Sequence, residues 1–347
     1  MAPFARVRES GNDYGGANLT PRVAVSRRTL WWAIVATLLA AFLWAFYYVF
    51  VLWVTPGTAP SAILSYPFLA GGVAYAAWAI ASGHRREFVS LWADPKAWAR
   101  VSLLFGMQVS VLATTYLAGP VDASLLSLIG DVVLTPIVVA LALGAYRARI
   151  VSPLFALGIV VSLAGGTMAI VGGRSLSAVQ GWGWLAVLGV PVTVAFYFLL
   201  TARANLRQAP SAVVGQSMLA AGLLTVVFAP IFPGGWSGLA TVAPLPMVLL
   251  ALCGLTSFFL APALYFLALD RVGLVLPPML MTGIPVFTLL LSAGVLGIAL
   301  PIVGVLGIPV AVVGAVLALS RESTTPHEER PPSAAPGGEG ERLTANR

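Results

Sequence analysis

Apolar runs about twenty residues long recur ten times along the chain, at roughly 30–54, 60–82, 100–118, 121–143, 150–172, 181–202, 211–232, 245–269, 272–296 and 300–320. A hydrocarbon layer about 30 Å thick is crossed by about 20 residues of helix at 1.5 Å each, so every run predicts a membrane-spanning helix. The last two runs form one stretch from Val272 to Ser320, too long for a single crossing, and Gly297 to Pro301 is where it breaks. Composition agrees, because only 9% of the 347 residues are charged, whereas a soluble domain carries about a quarter. The fold class predicted is an all-α polytopic membrane protein with ten transmembrane helices.

Basic residues orient the spans. With the N-terminus in the cytoplasm, Arg22, Arg27, Arg28, Arg85, Arg86, Lys96, Arg100, Arg147, Arg149, Arg203, Arg207, Arg271 and Arg321 fall inside and only Arg174 outside. Both termini are therefore expected in the cytoplasm, and the net charge of +7 reads as membrane orientation, with no nucleic acid as partner. Arg outnumbers Lys so heavily, with Lys96 the single Lys, that a bacterial source is expected, hence a bacterial inner membrane. The first run is too long and too far along the chain for a secretory signal. Residues 1–29 are read as a cytoplasmic N-terminal tail. Residues 321–347, rich in Pro, Gly and Glu, are read as a disordered cytoplasmic C-terminal tail.

Between the tails the sequence repeats. Ala45-Phe46-Tyr47 returns as Ala195-Phe196-Tyr197 and Ala59-Pro60-Ser61-Ala62 as Ala209-Pro210-Ser211-Ala212, both shifted by 150. Further on, at a shift of 149, Tyr116, Pro136, Gly158 and Gly165 match Tyr265, Pro285, Gly307 and Gly314. The repeats are 30–172 and 181–320, five spans each. An odd number of spans makes the second copy cross in the opposite sense, which is the arrangement that lets one chain open to either face.

The paired five-span halves, Trp44-Ala45-Phe46-Tyr47 in the first span, and the two runs from Tyr116 to Gly165 and from Tyr265 to Gly314 resemble the EamA-type branch of the drug/metabolite transporter superfamily. The resemblance covers about residues 30–320 and implies a secondary transporter whose leading substrates are amino acids and similar compounds. Family members often carry a Glu after the fourth and ninth spans and an Arg in the second, where this chain has Ala145-Tyr146, Ile298-Ala299 and Tyr66.

Of the acidic residues, only Asp131 lies deep in a span, about ten residues or roughly 15 Å from the outer end of the fourth. Ser124, Ser127, Asp131 and Thr135 are three, four and four apart and share one helix face, while their second-half counterparts Gly273, Leu276, Leu280 and Ile284 are not polar. An ionisable group at that depth is costly and functional by default, so Asp131 is read as the site of a proton or of a cationic part of the substrate. The competing reading is a protonated Asp131 bonded to a neighbouring helix. Gln108, Gln216, Tyr47 and Tyr197 are further cavity candidates, each equally suited to an interhelical hydrogen bond. Pro136 and Pro285 sit mid-span, where a proline frees a carbonyl one turn back and kinks the helix. Gly158/Gly165 and Gly307/Gly314 are spaced seven apart and read as close helix packing, within one protomer or in a homodimer.

Several classes are excluded. No Lys or Arg is expected inside a span, so phosphorylated substrates lack a cationic partner. One cysteine, Cys253, and no buried histidine leave no metal site, and no nucleophile–base pair or carboxylate pair for an enzyme. No phosphate loop is present, and no cofactor is called for. The reading is an inner-membrane exporter of a small neutral, zwitterionic or cationic metabolite, with membrane lipid and a small-molecule substrate as partners. Proton coupling through Asp131 is a separate expectation. The alternatives are a lipid-linked flippase on the same fold and a non-transporting membrane scaffold.

Overall fold

The computed structural model describes residues 26–54, 56–135, 137–138, 152–172, 181, 183–205, 207–272, 276–299 and 302–319, and their regular structure is entirely helical. In chain order the helices are α1 (Arg27–Val54), α2 (Pro60–Ala81), α3 (Arg85–Ser90), α4 (Pro95–Leu117), α5 (Pro120–Ile129), α6 (Pro153–Gly172), α7 (Gly183–Asn205), α8 (Pro210–Val227), α9 (Gly235–Ala240), α10 (Pro244–Cys253), α11 (Ala261–Val272), α12 (Leu276–Met281), α13 (Ile284–Leu296) and α14 (Ile302–Leu319). Proline opens α2, α4, α5, α6, α8 and α10. Its φ is already helical, and at the first position its missing N–H costs no bond. Between α4 and α5 only Ala118 and Gly119 intervene, and Gly119 turns the chain at φ 110°, a conformation side chains disfavour.

Six helical segments are long and apolar enough to cross a membrane: α1, α2, α4, α7, α8 and the continuous Pro244–Leu269. The other four expected runs carry the shorter apolar helices Pro120–Ile129, Pro153–Met168, Ile284–Leu296 and Ile302–Ala318. Large apolar side chains such as Trp31, Val160, Leu185, Leu290 and Ile302 point outward. A surface of that kind suits hydrocarbon, not water.

The start of α4 departs from the expected run at residue 100. Asp94 caps the helix by accepting a hydrogen bond from the Lys96 backbone N–H at 2.9 Å, and Pro95 follows as first helical residue. The helix thus begins five residues early and carries Arg100 into its second turn, 2% exposed. The expectation that no Arg or Lys lies inside a span is overturned. Asp94→Ala is expected to cost about 1 kcal/mol, read as a lower melting temperature of the detergent-solubilised protein.

Helices α5 and α10 are not regular to their ends. A π-helical turn, Gly130–Leu134, continues α5, and a longer one, Gly254–Leu260, joins α10 to α11. Such turns insert an extra residue and tend to mark functional positions. Pro285 was expected to kink one continuous span. Instead α12 ends at Met281, Thr282 and Gly283 form a turn, and Pro285 lies in the first turn of α13. A continuous helix would drive the proline ring into the Met281 carbonyl, so the chain breaks rather than bends. Pro136 lies outside the described residues.

Small residues set the helix pairing, with the two members of each pair antiparallel. On α2 and α8, a Cβ added at Gly72 would strike Leu219, and one added at Gly222 would strike Leu69 at 3.0 Å. Gly165 on α6 lies against Ala311 and Gly307 on α14, and Gly158 lies against Ala318 and Gly314. Gly106 and Gly189 join α4 to α7 opposite Thr193 and Ser110. α1 packs along α11 and α13 and is tied to the π turn before α11 by Ser257 Oγ, which donates to the Leu43 carbonyl at 2.7 Å. The buried centre is aromatic, with the Phe258 ring 4.5 Å from Phe68 and 4.8 Å from Tyr47.

Candidate substrate cavity

Four helices contribute stripes of side chains to a cavity of about 110 Å³. α1 presents Trp44, Tyr47 and Tyr48; α4 presents Leu104, Met107, Gln108 and Val111; α5 presents Ser124, Ser127, Leu128 and Asp131; α7 presents Val194, Tyr197, Phe198 and Thr201. Each set follows the i, i+3, i+4, i+7 spacing that places side chains on one face. Val214, Met218, Phe258, Tyr265 and Met281 close the far side. The walls are mostly aromatic and thioether, with a few convergent polar groups, the usual make-up of a small-molecule site.

Asp131 is the acidic group in that lining. Its side chain is half-buried, faces the cavity, and takes no hydrogen bond or ion pair from the described residues. The Tyr48 phenol lies within electrostatic reach of it. Tyr48 Oη donates to Ser127 Oγ at 2.8 Å, and Ser127 Oγ donates in turn to the Ala123 carbonyl at 3.0 Å. Ser124 Oγ likewise donates to the Val121 carbonyl at 2.7 Å. Both serines therefore spend their protons on their own helix and offer only lone pairs elsewhere. The buried Gln108 Oε1 and Tyr47 hydroxyl find no protein partner among the described residues. Buried polar atoms of this kind are normally satisfied, here by whatever fills the cavity. Tyr48→Phe removes the bond between α1 and α5 and is expected to cost about 1 kcal/mol, measured as a lower melting temperature.

Six of the eight residues expected to bind substrate or protons meet here: Asp131, Ser127, Ser124, Gln108, Tyr47 and Tyr197. Thr135 does not line it: it lies one turn beyond Asp131, and its Oγ1 donates to the Gly130 carbonyl five residues back, across the π turn, at 2.9 Å. Gln216 is also elsewhere, fully buried on α8, where its Oε1 accepts from Arg100 Nη2 at 3.1 Å. Tyr48 and Thr201 line the cavity and escaped the sequence reading, which placed Arg100 outside the span. Tyr48 adjoins the aromatic motif, and the Asp94-Pro95 start signal would have placed Arg100 inside α4. The glycines 158, 165, 307 and 314 stand away from the cavity, on the α6–α14 seam.

Residues 181–320 match the EamA-like transporter family. No curated protein matches the chain. A solved crystal structure, 21% identical, superposes with a TM-score of 0.60 over 82% of this chain and 96% of its own, which shows a shared fold.

Proposed function

We propose that this chain, whose residues 181–320 belong to the EamA-like transporter family of the drug/metabolite transporter superfamily, is a secondary carrier that exports a small neutral, zwitterionic or cationic metabolite. Its multi-pass membrane character and transporter type follow from that membership and from the apolar helices. The observation that carries the finer reading is the Asp131 carboxylate, without a partner among the described residues, in a cavity lined from both halves of the chain. An acid held without a partner at that depth is expensive, and the expense is offset when a substrate cation or a proton occupies it. Asp131 is the ammonium or proton site, Tyr47, Gln108, Ser124, Ser127 and Tyr197 complete the pocket, and Thr135 and Gln216 act from behind it.

Reciprocal contacts support two inverted five-helix repeats, at 30–172 and 181–320, making ten spans. Gly72 meets Leu219 and Gly222 meets Leu69, and each pair becomes the other when 150 is added or subtracted. Gly165 against Gly307 becomes Gly158 against Gly314 at a shift of 149. The α4–α7 pair exchanges in the same way with α11–α1. Such exchange is what a two-fold axis in the membrane plane produces, and it gives alternating access a physical basis, since each half can adopt the other's conformation. The π turns beside Asp131 and at Gly254–Leu260, with the break before Pro285, are where the helices flex. The termini are cytoplasmic and the membrane is the bacterial inner one. Because the α6–α14 glycines are satisfied within one protomer, they offer nothing to a second copy.

The test is labelled-substrate counterflow in proteoliposomes with amino acids, amines and neutral metabolites. Saturable exchange of one class is expected. Absence of exchange across all three, from protein that elutes as a folded species, refutes the carrier.

A further inference from the structure

Arg100 is a buried guanidinium with an incomplete shell. Its Nε donates to Ser217 Oγ at 2.7 Å and Nη2 to Gln216 Oε1 at 3.1 Å, both neutral acceptors on α8. The other three N–H donors have no acceptor among the described residues, and the Asp94 carboxylate lies within electrostatic reach of the charge without forming an ion pair. Gln216 Nε2, fully buried beside it, also lacks a partner. A desolvated Arg held by two neutral groups is an expensive arrangement that an arriving anion would relieve.

Its position points the same way. Arg100 continues the α4 cavity stripe of Leu104, Met107, Gln108 and Val111 by one turn, so it lies on the cavity face just beyond the floor. The phenol of Tyr197, itself a lining residue, is within electrostatic reach of Arg100. Gly106 packs opposite Thr193, and Gly130 opposite Pro191 and Val194, which puts Asp131 near the level of Gly106. Six residues of helix then separate that level from Arg100, about 9 Å. An α-amino acid's ammonium and carboxylate, each extended by a charge-assisted bond of about 2.8 Å, reach across a gap of that order.

We propose that Arg100 is the anion subsite of the transport cavity, receiving the carboxylate of an amino-acid-like zwitterion whose ammonium group meets Asp131. The inference rests on the carrier reading and narrows it, since neutral and purely cationic metabolites leave Arg100 without a directly bonded counter-charge. Arg suits the role because its planar fork binds carboxylate bidentately, which Lys and Gln cannot do.

The test is proteoliposome counterflow of apolar and aromatic L-amino acids, each beside its amide and its decarboxylated amine, in wild type, R100Q and R100K. The wild type is expected to exchange at least one acid about tenfold faster than its amide. R100Q is expected to remove that preference by slowing the acid, R100K to restore part of it, and both to elute as folded species. Exchange of amines or amides with no preference for acids leaves the carrier standing and overturns the Arg100 subsite. An R100Q that slows acid and amide alike also overturns it, as does one that alters neither. If R100Q fails to fold, the wild-type preference and R100K decide. Silence of the whole panel refutes the amino-acid-like substrate and the subsite together.

Discussion

Asp131→Asn is expected to reduce substrate exchange at least about tenfold, equivalent to 1.4 kcal/mol of lost binding or coupling, and to abolish substrate-driven proton movement. The substitution keeps size and hydrogen-bonding capacity but removes the charge. Because the Asp131 side chain accepts no hydrogen bond from the described residues, little folded-state structure depends on that charge. The melting temperature should therefore hold or rise, since a neutral amide is cheaper than a carboxylate at this depth. Loss of transport with retained stability separates a binding role from a structural one. A pH-sensitive dye in proteoliposomes reads the coupling, and labelled exchange reads the transport. Normal pH-sensitive transport by Asp131→Asn would remove the residue from the mechanism.

The other large effect is expected at the α6–α14 seam. A Cβ at Gly165 overlaps the backbone of Ala311 and Gly307, and backbone cannot swing aside as a side chain does. Gly165→Ala therefore forces the helices apart and is expected to cost about 2 kcal/mol, with a clear fall in melting temperature and in the yield of monodisperse protein. Gly294 on α13 supplies the contrast, because an added Cβ there meets nothing within 4 Å. Gly294→Ala is expected to be neutral or to stabilise by about 0.5–1 kcal/mol, since Gly in a helix interior costs conformational entropy. Equal effects at the two positions would mean that close approach does not set the pairing.

Much of the fold was legible because the membrane imposes one simple condition. Backbone groups must be paired inside each segment, so apolar length maps onto helix, and every expected run carries helical structure. The glycines 158, 165, 307 and 314 stand out in the sequence because small residues are needed where α6 and α14 touch. Local departures from regular helix do not. The π turn at Gly130–Leu134 leaves no mark in an apolar count, yet it hands Thr135 Oγ1 the Gly130 carbonyl five residues back as its acceptor. The Thr282–Gly283 turn before Pro285 is hidden in the same way, because proline permits either a kink or a break and packing decides between them. Arg100 was misplaced for a different reason. Hydropathy dates a span from its first apolar residue, whereas the helix starts where its cap is, at Asp94. The six residues that do converge on the cavity were found because polar groups stand out in apolar helices, and the two that do not are as polar as the rest. Sequence locates the expensive side chains, and only the packing separates those facing the cavity from those facing a neighbouring helix.

Alternating access around the Asp131 cavity is tested most directly by a cysteine at Gln108, a cavity residue, in a Cys253→Ala background that removes the single native thiol. The probe is a membrane-impermeant cationic thiol reagent, applied to right-side-out and to inverted vesicles. Two inverted halves that exchange conformations predict labelling of Gln108→Cys from both faces. Labelling from one face only, or from neither, would contradict the carrier mechanism.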